Sequence, residues 1–234
     1  MAARSSLLLF DVFGTLVDWY GSLAREVADL VEQRGWSLDV AAFVIDWRRA
    51  YFSGTSAVRN GELPWTDVDA LNADSARRLL SASGVHPSEG DLECLVSGWR
   101  RLDPWADTVE GMTRLRSRHT LAPLSNGSVS LLTELARHAG LPFDRILGSD
   151  LFRAYKPAPE TYLGALKLLE GKPAETIMVA VHNYDLLAAA SHGLRTAFVR
   201  RPLEWGGQQP TEEADPSVDM AVETLVDLAE RLGC

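Results

Sequence analysis

Cysteine is nearly missing: the 234 residues hold Cys94 and Cys234, far apart, which excludes a disulfide framework and a cysteine-held metal cluster. That pattern fits a reducing compartment, and a cytoplasmic protein is expected. Long apolar runs are missing too. The stretch MAARSSLLLF carries only Leu7, Leu8, Leu9 and Phe10 in a row, too short for a signal-peptide core or a membrane span. Positive charge is scarce, with 23 Lys and Arg against 32 Asp and Glu and a formal net charge of −9. The balance offers no electrostatic footprint for nucleic acid and no polybasic patch for a membrane. It leaves room for an anionic substrate, because a local Arg or Lys can reverse the sign inside a cleft. Internal repeats and low-complexity segments are absent. At 46% hydrophobic and 24% charged, the composition is that of a globular protein able to bury a full core.

What is present begins at Leu7–Phe10, which reads as a strand buried on both faces, as in the middle of a parallel sheet. Asp11 follows at once, then a tight Gly14–Thr15 turn, so a carboxylate stands where α/β proteins bind ligands. From about residue 18 to residue 100 the pattern is helical. Leu23, Val27, Leu30 and Val31, then Phe43, Val44 and Trp47, recur at helical spacing, and further helices are expected over 67–82 and 91–99. Breaks are expected at 53–55, 60–64 and 84–88. Strand–helix alternation then returns, with strands at 121–124, 146–147, 177–181, 196–199 and 220–221, and helices at 128–139, 158–169 and 186–192. An amphipathic helix closes the chain, and 206–216 reads as a polar surface loop. The expected fold class is α/β, a Rossmann-like parallel core of residues 1–17 and 100–234 with a helical insertion, 18–99, after the first strand.

Polar residues stand at the strand ends: Asp11 with Thr15, then Ser125-Asn126-Gly127, then Lys156-Pro157, then His182, Asn183 and Asp185. Each taken singly has a plain structural reading as a turn, cap or helix entry. In a parallel sheet they converge on one mouth.

DVFGT, LSNG, YKP and the last strand with its Asp resemble the four motifs of the haloacid dehalogenase superfamily, over essentially the whole chain. FDVFGTLVDW, DWRR, LSNGS, YKPAPETY and AVHNYD resemble its L-2-haloacid dehalogenase branch (type II). The resemblance implies a cap domain over 18–99 and Asp11 as a nucleophile that displaces halide from a 2-haloacid and is then freed by water. It implies that Lys156 keeps Asp11 ionised, and that Thr15 and Ser125 donate to Asp11 or to the substrate carboxylate. The backbone amides around Val12 and Phe13 are further donors. Asp185 holds Lys156 or the hydrolytic water. Arg48 matches the halide-binding arginine and Asn126 its partner. Arg49 is the competing choice, since helix neighbours point about 100° apart and only one faces a cleft. Tyr162 matches a tyrosine near the nucleophile, with a purely structural role as the other reading. The cap aromatics Trp19, Trp47, Tyr51, Phe52 and Trp65 line an apolar pocket or pack cap on core. Relatives are often dimers, so a homodimer is expected from the resemblance.

The phosphatases of the superfamily place a second Asp two residues after the nucleophile as general acid, where this chain has Phe13. Their Mg²⁺ wants acidic ligands after the fourth strand, where Val181 leaves Asp185 alone. A halide leaving group needs no proton, so displacement at carbon without metal or cofactor is expected, with a phosphatase of the same superfamily as the alternative. One departure stands out. Ala180 and His182 occupy positions where well-studied members carry Ser and Asn, so His182 replaces an amide donor, acts as a base in ester hydrolysis, or packs.

Overall fold

The computed structural model describes residues 7–234; the stretch before Leu7, including its reading as no signal peptide, lies outside the described residues. β1 (Leu7–Phe10) is buried at every position, as a central parallel strand requires. A tight turn and the short β2 (Val17–Asp18) lead into four helices, α1 (Trp19–Arg34), α2 (Val40–Arg59), α3 (Val68–Ala82) and α4 (Glu89–Gly98). Asp18, Asp39, Asp67 and Ser88 each accept a first-turn N–H, which fixes where each helix starts. β3 (Asp103–Pro104) pairs antiparallel with β2, so the chain enters and leaves this helical layer through one short ribbon.

Next come α5 (Thr108–Arg116), β4 (Thr120–Pro123), α6 (Val129–His138), α7 (Pro159–Leu168), β5 (Thr176–Ala180), α8 (Asn183–Ser191), β6 (Arg195–Val199), β7 (Met220–Val222) and α9 (Leu225–Arg231). The sheet order is β4-β1-β5-β6-β7, with every pair parallel. The α/β class read from the sequence is the class observed. Side chains alternate across the sheet. Leu8, Phe10, Ile177 and Val179 join one core, while Leu7, Leu9, Met178 and Ala180 join another with Tyr162, Ala165 and Leu186 of α7 and α8.

Four expectations need correction. The break at 53–55 lies inside α2, where buried Thr55 bonds the Phe52 carbonyl and Gly54 lies against Leu71 of α3. The strand at 146–147 is only an isolated bridge between Leu147 and Leu124, followed by a 3-10 turn at Ser149–Leu151. Lys156 therefore does not end a strand of its own. α5 has no counterpart in the sequence reading, and α8 starts at Asn183 instead of Leu186, which makes His182 its N-cap residue.

Candidate active site

Parallel strands bring their carboxyl ends together, and β4, β1, β5 and β6 are consecutive neighbours. Asp11 continues the ladder after β1, its N–H bonded to the Val179 carbonyl at 2.9 Å. The turn that follows is closed by Gly14, Leu16 and Val17 N–H bonds, with Gly14 at φ +92, a conformation that favours glycine. The N–H groups of Val12 and Phe13 take part in none of these bonds. Three side chains hold the turn from outside. Trp105 Nε1 donates to the Gly14 carbonyl (2.8 Å), Arg201 Nε to that of Thr15 (2.8 Å) and Thr108 Oγ1 to that of Leu16 (2.9 Å).

Lys156 Nζ lies 2.7 Å from Asp11 Oδ1 and 2.5 Å from Asp185 Oδ2, with all three side chains buried. Its backbone N–H donates to Asn126 Oδ1 (2.7 Å), so the loop after β4 places the lysine that no strand carries. Thr15 Oγ1 donates to Asp11 Oδ2 at 2.8 Å and accepts the Val181 N–H at 3.0 Å. Tyr162 donates to Asp185 Oδ1 at 2.5 Å. Ser125, buried in the same mouth, accepts the Gly127 N–H at 3.4 Å.

His182 Nδ1 lies 3.2 Å from Asp11 Oδ2, and Nε2 lies 2.8 Å from Glu204 Oε1. Asn183 is turned away, bonded to the Glu213 carbonyl and the Asp215 N–H, so the amide next in sequence does not replace the histidine. Those bonds, with Glu212 on the Asn183 N–H, tie the 206–216 segment, a polar surface loop as expected, to the start of α8.

Burial alone would raise the Asp11 carboxyl, but Lys156, with the hydrogen bond and charge of His182, holds it well below the carboxylate range. Burial, reinforced by the negative Asp11, raises Asp185 against the pull of Lys156. Burial disfavours the His182 cation, yet Glu204 and Asp11 pull its pKa up to about 10. Glu204 is lowered in turn: burial opposes its charge, and His182 and Arg48 overcome it.

Arg48, on α2, is 2% exposed, whereas Arg49 points to solvent and pairs with Asp46 at 3.0 Å. The Arg48 guanidinium carbon lies 4.6 Å from the ring centroids of Tyr51 and Phe52, 5.2 Å from Trp19, and 5.8 Å from Phe13 and Trp99. Nη2 reaches the Phe13 carbonyl at 3.5 Å, while Nε and Nη1 are buried without a partner. Trp47 and Trp65 do otherwise. Trp47 donates to the Asn72 carbonyl of α3, and Trp65 packs on Tyr155.

Sequence reasoning missed Glu204, Arg201 and Trp99. Glu204 is 4% exposed and also accepts from Trp19 Nε1 at 3.4 Å. Arg201 forks onto Asp107 at 2.7 and 3.0 Å while holding the Thr15 carbonyl. The signal is present for the first two: Glu204 and Arg201 follow β6 at the carboxyl edge of the sheet, where the polar residues after the neighbouring strands also lie. Trp99, at the end of α4, carries no such signal.

This chain belongs to the haloacid dehalogenase-like hydrolases, whose family profile matches residues 6–193. Within that class it falls among the L-2-haloacid dehalogenases. A solved structure of one such enzyme is 43% identical and superposes with a TM-score of 0.94 over 98% of this chain and 99% of that one. A defluorinating L-2-haloacid dehalogenase is 38% identical, with a TM-score of 0.95 over 98% and 96% of the two chains. The (S)-2-haloacid dehalogenase of Xanthobacter autotrophicus is 28% identical over 204 residues, 83% of this chain and 74% of its own length.

Proposed function

We propose that the protein hydrolyses short (S)-2-haloalkanoic acids to 2-hydroxy acids of inverted configuration, through an ester on Asp11. The observation that carries this reading is Arg48, a buried cation in an aromatic enclosure with two N–H groups lacking any acceptor. Such a group is costly unless an anion completes it, and a departing halide supplies that anion. The enclosure abuts Phe13, so the leaving atom departs into an apolar space that offers it no proton. Asp11, kept ionised by Lys156, attacks C2 from the opposite side. The N–H groups of Val12 and Phe13, with Ser125, receive the substrate carboxylate, and Asn126 joins Arg48 around the halide. Residues 18–99 act as a cap, and since Asp11, Arg48 and Lys156 are all buried, substrate entry requires the cap to lift.

The fold family also contains Mg²⁺-dependent members, and the donor set here does not suit a divalent cation. Phe13 and Val181 supply no oxygen side chain, and the Lys156 ammonium occupies the space between Asp11 and Asp185. The phosphatase alternative therefore gains no support from the site.

Halide release from both 2-chloropropionate enantiomers and from fluoro-, chloro- and bromoacetate, in the presence of chelator, tests the reading. Metal-free release from the S enantiomer, abolished in Asp11→Asn, is expected. Undiminished release by Asp11→Asn, or Mg²⁺-dependent phosphate release without halide release, would overturn it.

A further inference from the structure

We propose that His182, held as an imidazolium by Glu204, is the oxyanion donor of the second half-reaction, hydrolysis of the Asp11 ester. This rests on the dehalogenase reading and assigns a step within it. The protonation state follows from geometry. Both ring nitrogens face carboxylates, Nδ1 that of Asp11 and Nε2 that of Glu204, and an ionised carboxylate only accepts hydrogen bonds. Both nitrogens therefore carry hydrogen, and a ring so held donates rather than serving as a base. Its raised pKa agrees.

The hydrogen bonds on Asp11 divide its two oxygens. Oδ2 receives Thr15 and His182, while Oδ1 receives Lys156. Oδ1, with fewer donors, is the attacking atom: it bonds to C2 as the carbon–halogen bond breaks and halide leaves with the electron pair. Oδ2 becomes the ester carbonyl oxygen. Water then adds to Cγ, and negative charge develops on Oδ2, where the Nδ1–H and the Thr15 hydroxyl already point. Collapse breaks the Cγ–Oδ1 bond, so Oδ1 departs in the 2-hydroxy acid. One proton of the water ends on that alcohol, and the other is released as Asp11 ionises again.

Glu204 acts through the histidine and is a positioning residue. The fold makes room for it: a Cβ at Gly14 would collide with the Glu204 carboxylate, so the glycine serves both the turn and this approach. The charged and titratable groups facing the ring are Asp11 from the turn after β1, Glu204 from the loop after β6, and Tyr184 from α8, with rings 5.5 Å apart. Lys156 and Asp185 lie behind Asp11, and Arg48 acts on Glu204.

The test is rapid-quench halide release from (S)-2-bromopropionate with intact-protein mass spectrometry, on wild type, His182→Ala, His182→Gln and Glu204→Gln. The histidine variants are expected to release about one halide per site near the wild-type rate and to accumulate the alkylated protein. Their later turnovers should be slowed by roughly 10²-fold, the usual effect of losing one oxyanion donor. Glu204→Gln should move the alkaline limb of the turnover rate down toward the ordinary histidine value of about 6.5, with Glu204→Asp restoring part of the shift. Equal loss of burst and steady state in both histidine variants, absence of the alkylated protein, or an unmoved alkaline limb overturns the proposal. Failure of wild type to release halide overturns the dehalogenase reading itself.

Discussion

The Lys156 ammonium lies 2.7 Å from Asp11 Oδ1, with both side chains buried, so the candidate nucleophile is ionised by a partner that water cannot screen. The same ammonium bridges to Asp185, and one cation thus serves two carboxylates.

Lys156→Met should therefore cost more than activity. The two buried carboxylates would lose the cation between them, leaving only His182 beside Asp11 and none beside Asp185, a loss of about 3–5 kcal/mol in unfolding free energy by denaturant titration. Halide release should fall by roughly 10²-fold or more in whatever fraction remains folded. Unchanged stability would contradict the electrostatic account.

Arg48 and Arg49 are adjacent in sequence and opposite in surroundings. Arg48→Gln should lower kcat/KM for chloride release by roughly 10²-fold, since the leaving anion loses a dry cation. Arg49→Gln should change neither rate nor stability beyond about 0.5 kcal/mol, because its pair with Asp46 is solvent-exposed. Steady-state kinetics and thermal unfolding of the two variants settle the pair.

The pH dependence of stability has a definite sign on each side. Asp11 is held below its ordinary value, so its contribution is present above about 4 and is lost as the pH falls. Asp185, raised by burial, offsets part of that acid loss. His182 is raised, so its contribution is full below its ordinary 6.5 and disappears as the pH climbs through about 10. Unfolding free energy measured between pH 6 and 10.5 should decline, and His182→Asn should flatten the decline.

Phe13→Asp would restore the carboxylate that phosphate chemistry uses, yet it should not produce a phosphatase. The Phe13 ring packs edge-on against Trp99 at 5.4 Å and Tyr51 at 6.3 Å. Its loss leaves a cavity and an acid in apolar surroundings, costing about 3–5 kcal/mol by thermal or denaturant unfolding. Phosphatase activity appearing with Mg²⁺ in this variant would contradict the account of the donor set.

The strands were legible where both faces are buried: β1 and β5 are continuous apolar runs and need no knowledge of their neighbours. Asp11 and His182 were legible as the polar residues that end those runs. α5 was not, because its Asp107 cap makes no side-chain cap bond and its residues are mostly polar outside a narrow buried stripe. Glu204 was hidden for another reason. It lies in an irregular loop, and its meaning depends on His182 and Gly14, which approach it only after the chain has folded. The helical break expected at 53–55 failed because Gly54 in the middle of α2 lets α3 pack closely, a tertiary reason that local propensity does not carry.

Alkylation of Asp11 followed by hydrolysis at its own carbonyl leaves a distinct isotopic trace. Its most direct measurement is a single turnover in H₂¹⁸O, with the protein in excess over (S)-2-chloropropionate. Unlabelled 2-hydroxypropionate and one ¹⁸O in the peptide containing Asp11 are expected. Label in the product with an unlabelled Asp11 would mean that water attacks the substrate directly, and would contradict the ester on Asp11.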